Sequence, residues 1–305
     1  MSKLCIALAI SASVCAAAST GSEPLVAIAG DIAAIPGWYL QSTTKVSEEI
    51  HVLSAPGKDV SSWYRVGARG TVMAGLIENG VYNETDLFYS DTMESIADPS
   101  LFDAPWLYRE EFTLNPSTGQ YFTLKTHGIT SKADIYLNGE LIASSDQHQG
   151  SYGGHQYNLT EHVREGVNCL LIRAFPTNYL RDFAQGFVDW NPYPADNGTG
   201  VWRHVEVSQT GAISMSPFRI LTDFSHPNSG PVKVTFRTDL TNHESNGHKV
   251  LVNGTVKGPD GSADMEFREA FELKSNDQKT VSMSVSIENP DICLLYTSDA
   301  ATILL

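Results

Sequence analysis

The sequence predicts an all-β protein of two successive sandwiches, a jelly-roll-like one over residues 36–209 and a partial immunoglobulin-like one over residues 212–291. Three observations lead there. Short apolar runs follow one another from residue 106 onward with turn residues between them. Beyond Gly211 the runs alternate: Val232, Val234 and Phe236 against Lys233, Thr235 and Arg237, then Val281, Met283, Val285 and Ile287 against three serines. Such alternation sets one face to core and the other to water. Finally, 305 residues with 42% hydrophobic and 18% charged content suit roughly two domains of ordinary size and exclude a disordered chain.

The elements follow in order. MSKLCIALAISASVCAAAST has a positive charge at Lys3, an apolar run and then small residues, which is the grammar of a signal peptide over residues 1–18 and predicts secretion. That run is too short to cross a bilayer as a retained helix, so no membrane partner is expected. The only convincing helix is a short one over residues 92–97, with Asp91 and Glu94 spaced as a capping box and Pro99 as its stop. Strands are predicted at WLYREEFTL, QYFTLKTHG, ADIYLNGELIA, VNCLLIRAF and VWRHVEVSQ. In the third, Ala133, Ile135 and Leu137 share one face, and Asn138-Gly139 is the favoured pair for a type I′ hairpin. The second unit offers ISMSPFRIL, VKVTFRTDL, HKVLVNGTV, MEFREAFEL and VSMSVSI, five strands where a full sandwich of that type has roughly seven.

A formal charge of −15 with no Lys/Arg cluster argues against nucleic acid and suits cationic ligands, although acidity also serves plain solubility. Cys5 and Cys15 leave with the signal peptide, so the mature chain keeps Cys169 and Cys293 and no disulfide framework. Cys169 sits in a buried-strand pattern as a small apolar residue. The histidines lack ligand spacing; His148 and His155, in a Gly-rich loop, read as solvated turn residues, and no metal or organic cofactor is expected. Sequons at Asn83, Asn158, Asn197 and Asn253 are candidate glycosylation sites, and Asn253, followed by Gly254, also reads as a turn asparagine.

Residues 181–207, RDFAQGFVDWNPYPADNGTGVWRHVEV, carry the chemistry of a sugar-binding rim. Asp189 and Asn191 flank Trp190, with Tyr193 close by; carboxylates and amides bond sugar hydroxyls, and flat rings stack on pyranose faces or attract cations. Pro192, Pro194, Gly198 and Gly200 by themselves say only that this is a long irregular loop. Glu110 and Glu111, a tempting pair, are adjacent on a strand where consecutive side chains face opposite ways, so they cannot share one sugar.

The series IPGWYLQST, VSSWYRVGARGTVMAGLIENG, DLFYSDTM, PWLYREEF, SKADIYLNGELIA and GFVDWNPYPADNGTGVWRHVEV resembles the N-terminal part of family 2 glycoside hydrolases, most closely the secreted fungal exo-β-D-glucosaminidases. The resemblance covers most of residues 36–291. It implies a galactose-binding-like jelly roll, an immunoglobulin-like domain and then a catalytic β/α barrel, which is absent here. The reaction it implies is retaining removal of terminal β-linked glucosamine from chitosan oligosaccharides, which needs two carboxyl groups roughly 5 Å apart. No catalytic residue is expected in this chain, which alone should be inactive. In such enzymes a loop of the first domain reaches over the barrel, and by resemblance Asp189 and Trp190, with Asn191, would line the rim of the sugar pocket: Asp189 pairing with the ammonium group, Trp190 stacking on the ring. The same loop serving only to pack against the barrel is the plainer alternative.

Two departures stand out. Arg203-His204-Val205 replaces the family's usual Arg-Asp-Val, which puts an Arg–Asp pairing there in doubt. After Asn289-Pro290-Asp291 the chain reads ICLLYTSDAATILL, which looks like translated adapter sequence, so residues 292–305 are expected to be non-native. A β-mannosidase or β-galactosidase fragment of the same family, and a free-standing carbohydrate-binding or adhesion protein, are the alternatives the sequence leaves open.

Overall fold

A computed structural model describes residues 23–85, 97–178, 180–182, 194–224, 230–256 and 265–288. The first unit contains β1 (Ile32–Ala34), β2 (Gly37–Ser42), β3 (Tyr64–Gly67), β4 (Gly70–Thr71), β5 (Trp106–Leu114), β6 (Tyr121–Thr126) and β7 (Ile129–Thr130). It continues through β8 (Ala133–Leu137), β9 (Glu140–Ala143), β10 (His155–Asn158), β11 (Gly166–Ala174), β12 (Gly200–Val201) and β13 (Val205–Thr210). A six-stranded sheet, β3-β2-β5-β11-β8-β9, faces a four-stranded one, β1-β13-β6-β10, and every pairing is antiparallel.

Alternation explains the core. Trp106, Tyr108, Phe112 and Leu114 of β5 join Trp38, Leu40, Ile135, Leu137 and Ile172 from the same sheet and Phe122, Leu124, Val205 and Val207 from the opposite one. The odd positions of β5 turn the other way, where Leu107 packs with Leu171 and Leu53 in a smaller cluster. The six-stranded sheet is thus covered on both faces, and β5 and β11 are buried along most of their length, β5 even through Arg109 and Glu110.

The second face is covered by one turn of helix, α1 (Ile50–Leu53). The carbonyls at and just beyond its C-terminus are met by buried Arg109, whose Nε donates to Leu53 O at 2.8 Å and whose Nη2 donates to Ala55 O at 3.0 Å. A helix C-terminus leaves such acceptors open, and a cation there also suits the dipole. A second helix, α2 (Val72–Glu78), begins at Thr71, whose side chain accepts the Ala74 N–H, and ends before Gly80, which has φ +69°. Gly75 lets α2 lie on the sheet, since a Cβ there would come within 2.6 Å of Val66 Cγ1. These two helices correct the expectation of a single convincing helix at residues 92–97. Of that segment, residues 92–96 lie outside the described residues.

The Asn138-Gly139 hairpin has both residues at positive φ, +54° and +91°, as a type I′ turn requires. Asn138 is buried as well: its Oδ1 accepts the Cys169 N–H, and its Nδ2 donates to Asn168 and to His162 O. Cys169 is fully buried, and burial pushes its thiol up to about 12, the inert state expected of it.

The second unit holds β14 (Ile213–Met215), β15 (Arg219–Phe224), β16 (Val232–Asn242), β17 (His248–Val256), β18 (Met265–Leu273) and β19 (Gln278–Ile287). All five predicted segments form strands, the first divided into β14 and β15 around Pro217, which lacks the N–H a continuous ladder needs. Both lie antiparallel along one edge of β16, with β19 on its other edge, while β17 and β18 make a two-stranded sheet. The sheets meet where Phe236 stacks on Phe267 at 4.8 Å between ring centroids. This core shares no residue with that of the first unit. Asn253 lies inside β17 and not in a turn, because Gly254 is the cross-strand neighbour of Phe267, whose ring covers it.

Candidate functional site

The 181–207 loop leaves the end of β11 and returns at β12. Residues 183–193, and with them Asp189, Trp190, Asn191 and Tyr193, lie outside the described residues; so does the tail from 289. Both feet of the loop are described, and buried polar contacts hold them.

The outgoing foot is tied by Asp182. Its Oδ2 accepts the Ser131 hydroxyl at 2.7 Å and the Asn178 N–H at 2.9 Å, and Lys132 Nζ lies 3.9 Å from Oδ1. Nearby, the feet are joined to each other. Thr199 Oγ1 accepts the Thr177 N–H at 3.0 Å and shares a 2.9 Å bond with the Thr177 hydroxyl, while Asn197 Nδ2 donates to Thr177 O at 3.3 Å.

The returning foot is tied by Asp196, almost wholly buried. One carboxylate oxygen accepts the Met73 N–H in the first turn of α2 at 2.7 Å, the other the Gly198 N–H at 2.8 Å. Burial raises its pKa, and the bonds from Met73, Gly198 and the Thr71 hydroxyl act against that rise. Next, β12 inserts between β4 and β7, opposing Gly200 to Thr71 and to Thr130. Gly200 has φ +137°, and a Cβ there would fall 2.2 Å from the Tyr108 hydroxyl and 2.9 Å from Thr71 Cα. Only glycine fits. Buried Tyr108 donates to Gly70 O at 3.0 Å, and burial pushes its phenol well above the ordinary value.

After β12, Trp202 donates from Nε1 to Ser151 O at 2.7 Å, over Gly128. The Arg203 guanidinium lies 4.3 Å from the Trp202 ring centroid and 5.8 Å from that of Tyr152. Where an Arg–Asp pair was in doubt, Arg203 rests on aromatic faces, and the predicted strand VWRHVEVSQ is divided there, into β12 and a β13 that begins only at Val205.

Glu110 is engaged by both terminal guanidinium nitrogens of Arg65, Nη1 and Nη2, whereas Glu111 takes Arg109 and the Gly57 N–H at 2.8 Å. Each carboxylate has its own cation and a structural role. His148 corrects the solvated-turn reading, being fully buried with Nδ1 2.8 Å from the Tyr157 hydroxyl. The cause is backbone pairing the composition does not reveal: Ala133 N–H donates to His148 O and Gly150 N–H to Ser131 O, folding the loop onto β7 and β8. Burial lowers the His148 pKa to about 4. Among the described residues no group of three or more His, Cys, Asp or Glu could hold a metal ion.

Comparison with known proteins fits this frame. The family model described as glycosyl hydrolase 2 galactose-binding domain-like matches residues 38–185. The exo-beta-D-glucosaminidase of Arthroderma benhamiae is 54% identical over 88% of this chain and 31% of its own length. That of Hypocrea jecorina is 41% identical over 94% of this chain and 32% of its own length. The crystal structure of an Amycolatopsis orientalis exo-chitosanase superimposes with a TM-score of 0.76 at 30% identity, covering 86% of this chain and 30% of that one. A Bacteroides uniformis beta-glucuronidase shares the fold with a TM-score of 0.62 at 16% identity. The chain thus spans about a third of the length of the glucosaminidases it matches. With its galactose-binding-like first unit and with relatives of this similarity along nine-tenths of its length, the chain belongs to glycoside hydrolase family 2, beside the exo-β-D-glucosaminidases.

Proposed function

We propose that this chain is the N-terminal, non-catalytic part of a secreted, retaining exo-β-D-glucosaminidase that removes terminal glucosamine from chitosan oligosaccharides. The observation that carries the reading is the 54% identity to such an enzyme across 88% of this chain against 31% of that relative. The catalytic barrel belongs to the rest of the polypeptide, and both catalytic carboxyl groups come from it. The site geometry supports this division. Glu110 and Glu111 are each committed to an arginine, whereas the segment carrying Asp189 and Trp190 lies in sequence between two feet that buried polar groups hydrogen-bond in place.

In this reading the first unit supplies one wall of the sugar pocket. Asp189 faces the ammonium group of glucosamine, Trp190 stacks on its ring and Asn191 bonds a hydroxyl. A carboxylate acting on the substrate's charge discriminates glucosamine from neutral sugars; losing a charge-assisted bond costs about 1.5–3 kcal/mol. In the full-length enzyme, Asp189→Asn should therefore raise KM for p-nitrophenyl β-D-glucosaminide about ten-fold or more with a smaller change in kcat. An unchanged KM would remove Asp189 from the pocket. A full-length enzyme that released mannose or galactose and left glucosamine would overturn the substrate.

A further inference from the structure

We infer that N-glycosylation of this protein is selective: Asn83, Asn158 and Asn253 carry glycans, whereas Asn197 is a structural amide that the folded protein keeps unmodified. The inference rests on the reading that the chain enters a secretory pathway. All four sequons are equivalent as motifs, so the distinction comes from their surroundings.

Asn83, Asn158 and Asn253 are exposed. Asn83 accepts the Thr85 N–H at 3.1 Å and Asn158 the Thr160 N–H at 2.9 Å, each through Oδ1, and both Nδ2 groups are without a hydrogen-bond partner among the described residues. Asn158 ends β10, the outer strand of the four-stranded sheet. Asn253 stands on the outer face of β17, on the side of Lys249 and of Leu251, which is 46% exposed. A glycan there lies over Leu251 and shields an apolar side chain on a strand that pairs only with β18 among the described residues.

Asn197 differs in three ways. Its backbone is left-handed, φ +51°, a conformation asparagine adopts more readily than most residues, so the turn alone accounts for its presence. Its Nδ2 is the donor to Thr177 O that helps join the loop's feet, which fixes the amide orientation, since a flip would oppose two oxygens. Its Oδ1 is buried without a hydrogen-bond partner among the described residues, and its sequence neighbours Asp196 and Thr199 are buried too. In a glycosylated asparagine the planar amide places the sugar's anomeric carbon on the same side as Oδ1, which here is the walled-in side. A glycan transferred to Asn197 during synthesis would keep the Thr177–Thr199 contact from closing, so molecules that carry one fail to reach the folded state.

The test secretes the 305-residue protein from yeast behind a heterologous leader, so the outcome does not depend on the chain's own N-terminus or on its enzymatic role. The folded material is trimmed to one N-acetylglucosamine per site and mapped by peptide mass spectrometry. Expected is the residual sugar at Asn83, Asn158 and Asn253 and an unmodified Asn197; substantial occupancy at Asn197, or an unmodified Asn253, would overturn the inference. A second measurement needs no glycan. In protein made in bacteria, Asn197→Ala should lower the thermal midpoint by roughly 3–8 °C, while Asn158→Ala leaves it within about a degree or two; equal midpoints for the two variants would remove the structural role assigned to Asn197.

Discussion

Single residues decide how firmly the site loop is held. Asp196 accepts two backbone N–H groups while almost wholly buried. Removing its side chain orphans both donors, at about 1–3 kcal/mol each. Asp196→Ala should destabilise the first unit by about 2–5 kcal/mol in denaturant titration, and Asp196→Asn, which keeps one acceptor, by clearly less. Equal losses would mean that packing, and not the hydrogen bonds, fixes this foot. His148 sets a pH limit. Its folded pKa of about 4 lies below the ordinary 6.5, so the native state holds it neutral. The stability this contributes is complete above pH 6.5 and is lost as pH falls toward 4, with a ceiling of about 3 kcal/mol. His243 shifts the same way through burial. Urea unfolding between pH 7 and 4 should show a shallower decline in His148→Gln than in the parent; parallel curves would assign the acid limb to other groups.

At the scale of elements, local pattern and long-range pairing separate cleanly. The alternation along β16 and β19, the Asn138-Gly139 hairpin and the inward face of Ala133, Ile135 and Leu137 were legible in the sequence, because strand period and turn chemistry are local. The helix α2 was missed although Thr71 and Asn79-Gly80 mark its ends, since Gly75 in its middle weakens the helical pattern; the structure shows that glycine is there for contact with Leu40 and Val66. The loop's base was illegible for another reason. Thr177 meets Thr199 across 22 residues and Asp196 meets Met73 across 123, and neither partner carries a local sign of the other. Gly254 gives a test at this scale. A Cβ would stand 2.4 Å from the Phe267 ring and push it off Phe236. Gly254→Ala should destabilise the second unit by about 1–3 kcal/mol and leave the first unit's exchange-protected amides unchanged, as followed by hydrogen exchange. Loss of protection in β5 and β11 would show that the two cores unfold together.

Across the whole molecule there are two separate cores, and the first carries a long loop whose feet are hydrogen-bonded to each other and whose sequence between them holds the residues most suited to a sugar. Family membership and identity to exo-β-D-glucosaminidases account for such a loop in a chain whose adjacent Glu110 and Glu111 are each held by an arginine. Under the proposed function the loop is one wall of the sugar pocket, and the chemistry belongs to the rest of the enzyme. The most direct test is to assay the purified 305-residue protein on p-nitrophenyl β-D-glucosaminide and on chitosan oligosaccharides, beside the full-length enzyme. No release of glucosamine above a blank from the 305-residue protein, with turnover by the full-length enzyme, is the predicted result; glucosamine release that rises in proportion to the amount of the 305-residue protein would contradict the account.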